Sequence, residues 1–279
     1  MAKWVVTAKK ADFEAIGKKF HIDPVVARIL RNRDLVTEKE IENFLEGNLS
    51  QMYSPYLLKD MDRAVDRILK AIEQKEKIRV IGDYDVDGIC AGYILKEGLS
   101  LLTARVDCRV PNRIKDGYGL NENLIQEAKE DGIDFLITCD NGIAAKEAIA
   151  YANELSMTVI VTDHHEVPFI QTENGEKCYQ MPPAYAVVNP KREDCPYPFS
   201  AICGALVAYK LIQALFEKKG LNMPTDFIEA AAFATICDVM ELKDENRIVV
   251  KYGLKSMQHT KNLGLKALFQ VCDIKMESL

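Results

Sequence analysis

From residue 78 the chain alternates short β-rich runs with longer stretches whose apolar positions recur every three or four residues. The runs are IRVIGD, RVDCRVP, DFLITCD, TVIVTDHH and AYAVVNP. Strands buried on both faces read as continuous apolar runs. Helices are expected through Gly88 to Leu102, from Asn121 and from Ala144. This alternation predicts an α/β fold, a mostly parallel sheet with helices on both faces. Residues 1–58 read as a helical preface. Pro24 opens PVVARILRNR, with Val25, Val26, Ile29 and Leu30 at helical spacing, and Thr37 with Glu40 forms a capping box ahead of Ile41, Phe44 and Leu45. Residues 59–279 read as the main domain, opened by an amphipathic helix through Met61, Ala64, Val65, Ile68, Leu69 and Ile72. Residues 200–279 return to helix, and QTENGEKCYQMPP reads as a surface loop. No internal repeat interrupts the pattern.

The acidic residues fall at the ends of the expected strands. Asp83, Asp85 and Asp87 follow IRVIG, Asp140 follows FLITC, and Asp163, His164 and His165 follow VIVT. In open parallel sheets, ligands bind outside the carboxyl ends of the strands. Carboxylates packed there without partners repel one another, and no matching lysines or arginines stand at the same strand ends. A divalent cation, or two, would neutralise them. Carboxylates with one or two imidazoles suit Mn²⁺ or Mg²⁺, and a shared Asp between two ions is the form of a two-metal phosphoesterase. Each motif also has a plain reading. DYDVDG resembles a calcium loop but has Ile94 where that loop needs a bidentate Glu. Asp140 alone would serve as a helix cap, and Asp238, after the apolar run of TICDVM, reads equally as a helix end or a ligand. Arg113, Lys115 and Tyr118 in PNRIKDGYGLN suit a phosphate or a base, or a solvated loop. Ser200 and Gly204 lie in FSAICGALVAYKL, with Ser200 at an N-cap position beside amides that suit an anion. His21 and His259 stand outside the strand-end set.

Composition narrows the class. The chain has 279 residues, 48% of them hydrophobic and 28% charged, which fits a globular protein with a sizeable core and excludes a disordered or fibrous one. No apolar run is long enough for a membrane helix, and the charged start lacks a signal peptide's core. The net charge of −6 argues against a protein that coats nucleic acid through bulk electrostatics, although clustered carboxylates holding cations would present a positive site to phosphate. Eight cysteines occur without a CxxC pair. Cys90, Cys139, Cys203 and Cys237 lie in or beside apolar runs, so they read as reduced packing residues of a cytoplasmic protein.

In order, GDYDVDG, TCDNGI, TDHHEVP and ATICDVMEL resemble the four motifs of the DHH phosphoesterase superfamily. The strings LLKDMDRAVDRILKAIEQKEKIRVIGDYDVDGICAGYIL, VPNRIKDGYGLN, VVNPKREDCPYPFSAICGALVAYKL and DENRIVVKYGL are similar to its single-strand-specific DNA exonucleases. That resemblance implies a 5′→3′ exonuclease acting on single-stranded DNA in repair and recombination. It implies two Mn²⁺ or Mg²⁺ ions held by Asp83, Asp85, Asp87, Asp140, His164 and Asp238, with Asp140 as the bridge. Asp163 and His165 complete the motif, His165 toward the scissile phosphate, while Arg113 and Tyr118 match a loop lining the substrate path. Other DNA-repair proteins are the partners it suggests, and the chain is expected to be a monomer. The superfamily pattern continues with a second, DHHA1-type domain and often an OB-fold, so the expectation is a catalytic half whose grip on DNA is reduced. The rival expectations are a superfamily phosphoesterase acting on short oligonucleotides, cyclic dinucleotides or pyrophosphate, and a scaffold of DNA-processing complexes with an idle site.

Overall fold

The computed structural model describes residue 3 and residues 9–102, 104–117, 119–172 and 174–278. Two compact units divide at residue 51/52. In the first, α1 (Phe13–Phe20), α2 (Pro24–Asn32) and α3 (Glu38–Glu46) are each started by a side chain: Asp12, Asp23 and Thr37 accept from the free amides of the first turn. Thr37 and Glu40 form the expected capping box. On α2 the buried residues are Ala27 and Leu30, whereas Val25 and Ile29 are 64% and 50% exposed. The small core of Leu30, Leu35 and Ile41 accepts one narrow stripe, and the apolar pattern of α2 is wider than that stripe.

The second unit begins ahead of the boundary expected after residue 58. Residues 53–58 pack into it, because the Tyr53 amide donates to Glu245, the Tyr56 hydroxyl donates to the Ala214 carbonyl, and Leu58 enters the large core. The chain then runs α4 (Met61–Glu73), β1 (Lys77–Ile81), α5 (Val86–Leu101), β2 (Arg105–Arg109), α6 (Glu122–Glu130), β3 (Phe135–Cys139), α7 (Lys146–Glu154), β4 (Thr158–Thr162), β5 (Phe169–Gln171), β6 (Lys177–Tyr179) and β7 (Ala186–Val188). Four helices close it: α8 (Gly204–Lys218), α9 (Phe227–Cys237), α10 (Asp244–Met257) and α11 (Leu263–Val271). Five strands form one parallel sheet in the order β2-β1-β3-β4-β7. The chain steps from β1 to β2 on one side and returns to β3 on the other, so the sheet switches direction between β1 and β3. A crevice opens at such a switch point, outside the carboxyl ends of the strands.

Alternate residues of the central strands feed two cores. Val80, Phe135, Ile137 and Ile160 pack against α4, α5, α8 and α9, while Ile81, Leu136, Val159 and Val161 pack against α6 and α7. The sheet is thus covered on both faces, as the alternating pattern predicts. Arg79 stands within β1's apolar run, where its guanidinium binds Asp107 bidentately and also Asp131. QTENGEKCYQMPP is not a plain loop. Its flanks pair as an antiparallel hairpin, β5 with β6, that puts Phe169 opposite Tyr179. All six of its strand residues are exposed, so no burial pattern marks them in the sequence. No helix among the described residues is long and apolar enough to cross a membrane.

Candidate metal centre

The three acidic groups converge at the switch point. Asp83 follows β1, and Asp85 caps α5 by accepting from the Gly88 amide at 2.9 Å. Gly88 is required there, because a Cβ would lie 2.6 Å from the Asp83 backbone nitrogen and oxygen. Asp87, in the first turn of α5, has both carboxylate oxygens committed to α8: Gly204 donates to Oδ2 at 2.6 Å and Ala205 to Oδ1 at 2.7 Å. Asp87 therefore caps a helix that lies far along the chain.

Asp140 follows β3 in the left-handed backbone region, φ 58°, which Asp tolerates better than most side chains. The turn is held by Asn141, whose side-chain amide donates to the Ile81 and Cys139 carbonyls, and by the Thr138 hydroxyl on the Asn141 carbonyl. Asp140 is not a helix cap: α7 starts at Lys146 behind Ala145, with no side-chain cap. Its Oδ1 is buried and has no hydrogen-bond partner. His164 Nε2 lies 3.0 Å from that oxygen, 3.4 Å from Asp87 Oδ2 and 3.9 Å from Asp238 Oδ2. Asp238 terminates α9 and is partly exposed.

Asp163 and His165 behave differently from the rest. Asp163 Oδ2 accepts from the Ile143 amide, and Oδ1 accepts from the amides of His164 and His165 and from His165 Nδ1 at 2.7 Å. With its acceptors occupied, Asp163 orients the two histidines. Burial pushes its pKa up, but the His165 hydrogen bond and these amides outweigh burial and hold it below the ordinary carboxylate range. The same hydrogen bond raises the His165 pKa against its own burial. Asp83, Asp87 and Asp140 move the other way. Burial raises all three, and for Asp140 the nearby Asp87 and Asp85 charges add to it.

Three groups of donors result, each with its atoms within 4.8 Å of one another: Asp83, Asp85 and Asp140; Asp87, His164 and Asp238; and Asp140, His164 and His165. Among the described residues no lysine or arginine pairs with Asp83, Asp85, Asp87 or Asp140. An orphaned, buried Asp140 oxygen facing an imidazole nitrogen is an arrangement that a cation between them would satisfy. The donors are all carboxylate oxygen and imidazole nitrogen, a set that suits Mn²⁺ or Mg²⁺.

The remaining sequence candidates separate. Gly204 packs on Asp140, since a Cβ there would lie 2.7 Å from the Asp140 Cβ and 2.8 Å from Oδ1; its role is close approach. Ser200 is not an N-cap, because α8 begins only at Gly204 behind Cys203 and Asp87 satisfies its first amides. It is exposed and lines a polar cavity instead. The Arg113 guanidinium lies 5.4 Å from the Tyr84 ring, which brings its loop beside the first acidic motif. Tyr118 lies outside the described residues. Of the four cysteines read as packing, Cys139 and Cys203 are buried, Cys90 is partly so and Cys237 is exposed, because α9 ends there in solvent. Asn189 went unnoticed in the sequence. Fully buried at the end of β7, it donates to the His165 carbonyl at 3.0 Å, and its strand-end position was the available signal.

Residues 77–235 match the model of the DHH family, N-terminal domain. The chain is 37% identical over 270 residues to the single-stranded-DNA-specific exonuclease RecJ of Bacillus subtilis (strain 168), covering 96% of this chain and 33% of that protein. It is 30% identical over 271 residues to the RecJ of Escherichia coli (strain K12), covering 92% and 44%. Among solved structures, RecJ in complex with Mn²⁺ from Thermus thermophilus superposes with a TM-score of 0.76 at 28% identity, over 95% of this chain and 36% of that one. Exonuclease RecJ bound to manganese gives 0.67 at 33% identity, over 77% and 52%. The chain spans a third to under half the length of these curated relatives.

Proposed function

Because the chain belongs to the DHH family, we propose that it is the catalytic portion of a metal-dependent phosphodiesterase that degrades single-stranded DNA from its 5′ end in repair and recombination. The observation that carries this reading is Asp140, which has a buried, unpartnered oxygen and belongs to two of the donor groups. The similarity to manganese-bound RecJ supports the choice of ion, and the similarity to relatives named single-stranded-DNA-specific exonucleases supports the choice of substrate. Asp83, Asp85 and Asp140 would hold one Mn²⁺ or Mg²⁺, and Asp87, His164 and Asp238 a second that Asp140 shares. Two divalent ions in such a site lower the pKa of bound water and offset the charge that develops on phosphate.

The chain's own groups do the rest. Asp87 anchors the start of α8, and through Gly204 it holds α8 against Asp140. Asp163 accepts the hydrogen bond from His165 Nδ1–H, which leaves Nε2 as the ring nitrogen for a substrate phosphate and keeps that imidazole protonated to higher pH. Arg113, whose guanidinium lies beside the Tyr84 ring, would meet the strand as it approaches. All eight cysteines are free, in keeping with a reducing cytoplasm.

The test is digestion of 5′-end-labelled single-stranded and duplex DNA with Mn²⁺ or with EDTA, beside Asp140→Ala. The expected result is Mn²⁺-dependent loss of the single strand from its 5′ end, slower by on the order of 100-fold or more in a folded Asp140→Ala protein, as for a lost catalytic electrostatic group. Digestion of dinucleotides alone would move the chain to the short-oligonucleotide phosphoesterases. No hydrolysis of any phosphodiester by the wild-type chain overturns the reading.

A further inference from the structure

A polar cavity of about 530 Å³ lies beside the metal centre, lined by Glu166, Pro190, Lys191, Arg192, Cys195, Tyr197, Ser200 and Ala201. Its lining is continuous along the chain with the centre. Glu166 is joined to His165, and Ser200 and Ala201 lead through Cys203 to Gly204, which packs on Asp140. Asn189, fully buried, fixes the backbone of a basic residue of the lining: its Nδ2 donates to the His165 carbonyl at 3.0 Å, and its Oδ1 accepts from the Lys191 amide at 2.8 Å. The backbone of Lys191 is thereby tied to the backbone of His165 through one side chain.

The two cations of the cavity differ in what holds them. Arg192 is committed, with its guanidinium on Asp60, on Asp194 through two nitrogens and on the Val187 carbonyl. Among the described residues the Lys191 ammonium pairs with Glu166 alone, at 3.1 Å, and the Glu166 side chain is 83% exposed. An ion pair with so exposed a partner is weak and exchanges readily for a better anion. A phosphodiester is such an anion, and a strand whose terminal phosphate occupies the metal centre places its neighbouring phosphates close beside it.

We infer that Lys191 grips a backbone phosphate of the substrate strand next to the bond being cut, with Ser200 lining the same cavity and Glu166 as the resident anion that the phosphate displaces. This rests on the nuclease reading above. Lys191 is a positioning residue: it sets where the strand lies. Glu166 acts in the opposite sense, since it competes with the strand for the same ammonium group.

The experiment measures kcat/KM for Mn²⁺-dependent digestion of oligodeoxythymidylate across a series of NaCl concentrations. It compares the wild-type chain with Lys191→Met, Lys191→Arg and Glu166→Gln. Loss of one phosphate contact flattens the log–log salt slope by about 0.7 for a single strand. Lys191→Met is expected to show that flattening with a KM raised about three- to fivefold, the range of an exposed ion pair, while Lys191→Arg retains the wild-type slope. Glu166→Gln is expected to lower KM, a change of opposite sign that a general loss of structure does not produce. A Lys191→Met slope parallel to wild type, or a Glu166→Gln defect resembling Lys191→Met, overturns the inference while leaving the nuclease reading intact. Absence of digestion by the wild-type chain overturns both.

Discussion

Replacing Gly204 by Ala tests the claim that the metal centre is built by close packing of α8 on Asp140. The added Cβ would meet the Asp140 Cβ at 2.7 Å, its Oδ1 at 2.8 Å and its Cα at 3.0 Å, all well inside contact distance. Neither neighbour gives easily. Asp140 sits on a turn pinned by Asn141 and Thr138, and the start of α8 is pinned by Asp87 through the amides of residues 204 and 205. Forcing a methyl into such a contact costs about 1–3 kcal/mol. If the strain is relieved by moving Asp140 off its position, Mn²⁺ affinity falls about 5- to 150-fold at roughly 1.4 kcal/mol per tenfold. If the fold carries it instead, Tm falls by about 2–12 °C for a unit of this size. Calorimetric Mn²⁺ titration beside thermal unfolding of the metal-free protein reads both. A Gly204→Ala protein with wild-type Mn²⁺ affinity and wild-type Tm would falsify the packing argument, because the strain has nowhere else to appear.

Two further outcomes follow from burial. Burial holds the carboxyls of Asp87 and Asp140 above their ordinary range, so in the folded, metal-free protein they retain protons that the unfolded chain releases. A raised folded-state pKa gives stability that is present at low pH and lost as pH rises. Metal must displace those protons, so the Tm gain from saturating Mn²⁺ should grow between about pH 5 and about pH 8; a gain independent of pH contradicts the sign. Separately, Lys210 and Glu245 form a fully buried pair at 2.7 Å that also holds the Tyr53 backbone. Lys210→Met leaves that carboxylate without its cation and is expected to cost about 3–5 kcal/mol in urea unfolding without weakening Mn²⁺ binding; a loss under about 1 kcal/mol sinks the assignment.

The sheet and its acidic edge were legible because strands buried on both faces announce themselves as unbroken apolar runs, and the residue after each run must lie at the sheet's edge. That rule places Asp83, Asp140 and Asp163 correctly without any contact information. It does not say which of them is spent within the protein. Asp163 is saturated by amides and His165, whereas Asp140 is left open, and that difference depends on how each turn folds back. Pairings across long sequence separations were equally hidden. Asp87 caps α8 across 117 residues, so the N-cap sought locally at Ser200 was the wrong partner for the right amides. Lys210 and Glu245 stand in helices whose other faces follow the expected pattern, and neither residue's neighbours hint at the other. The β5–β6 hairpin has no buried face, so periodicity offered nothing to detect.

The dispersal of the donors along the chain carries a consequence for biosynthesis. The first carboxylates appear at residue 83 and the last at 238, and between them Asp87 waits for the amides of 204 and 205. A nascent or truncated chain ending before α9 carries most of the acidic edge yet lacks the Asp238 carboxylate, and one ending before α8 also lacks the helix that fixes Asp87. Under the proposed function, either would lack part of the donor set. On the reading proposed above, metal capture would therefore be a late event, completed only once α8 and α9 are both in place.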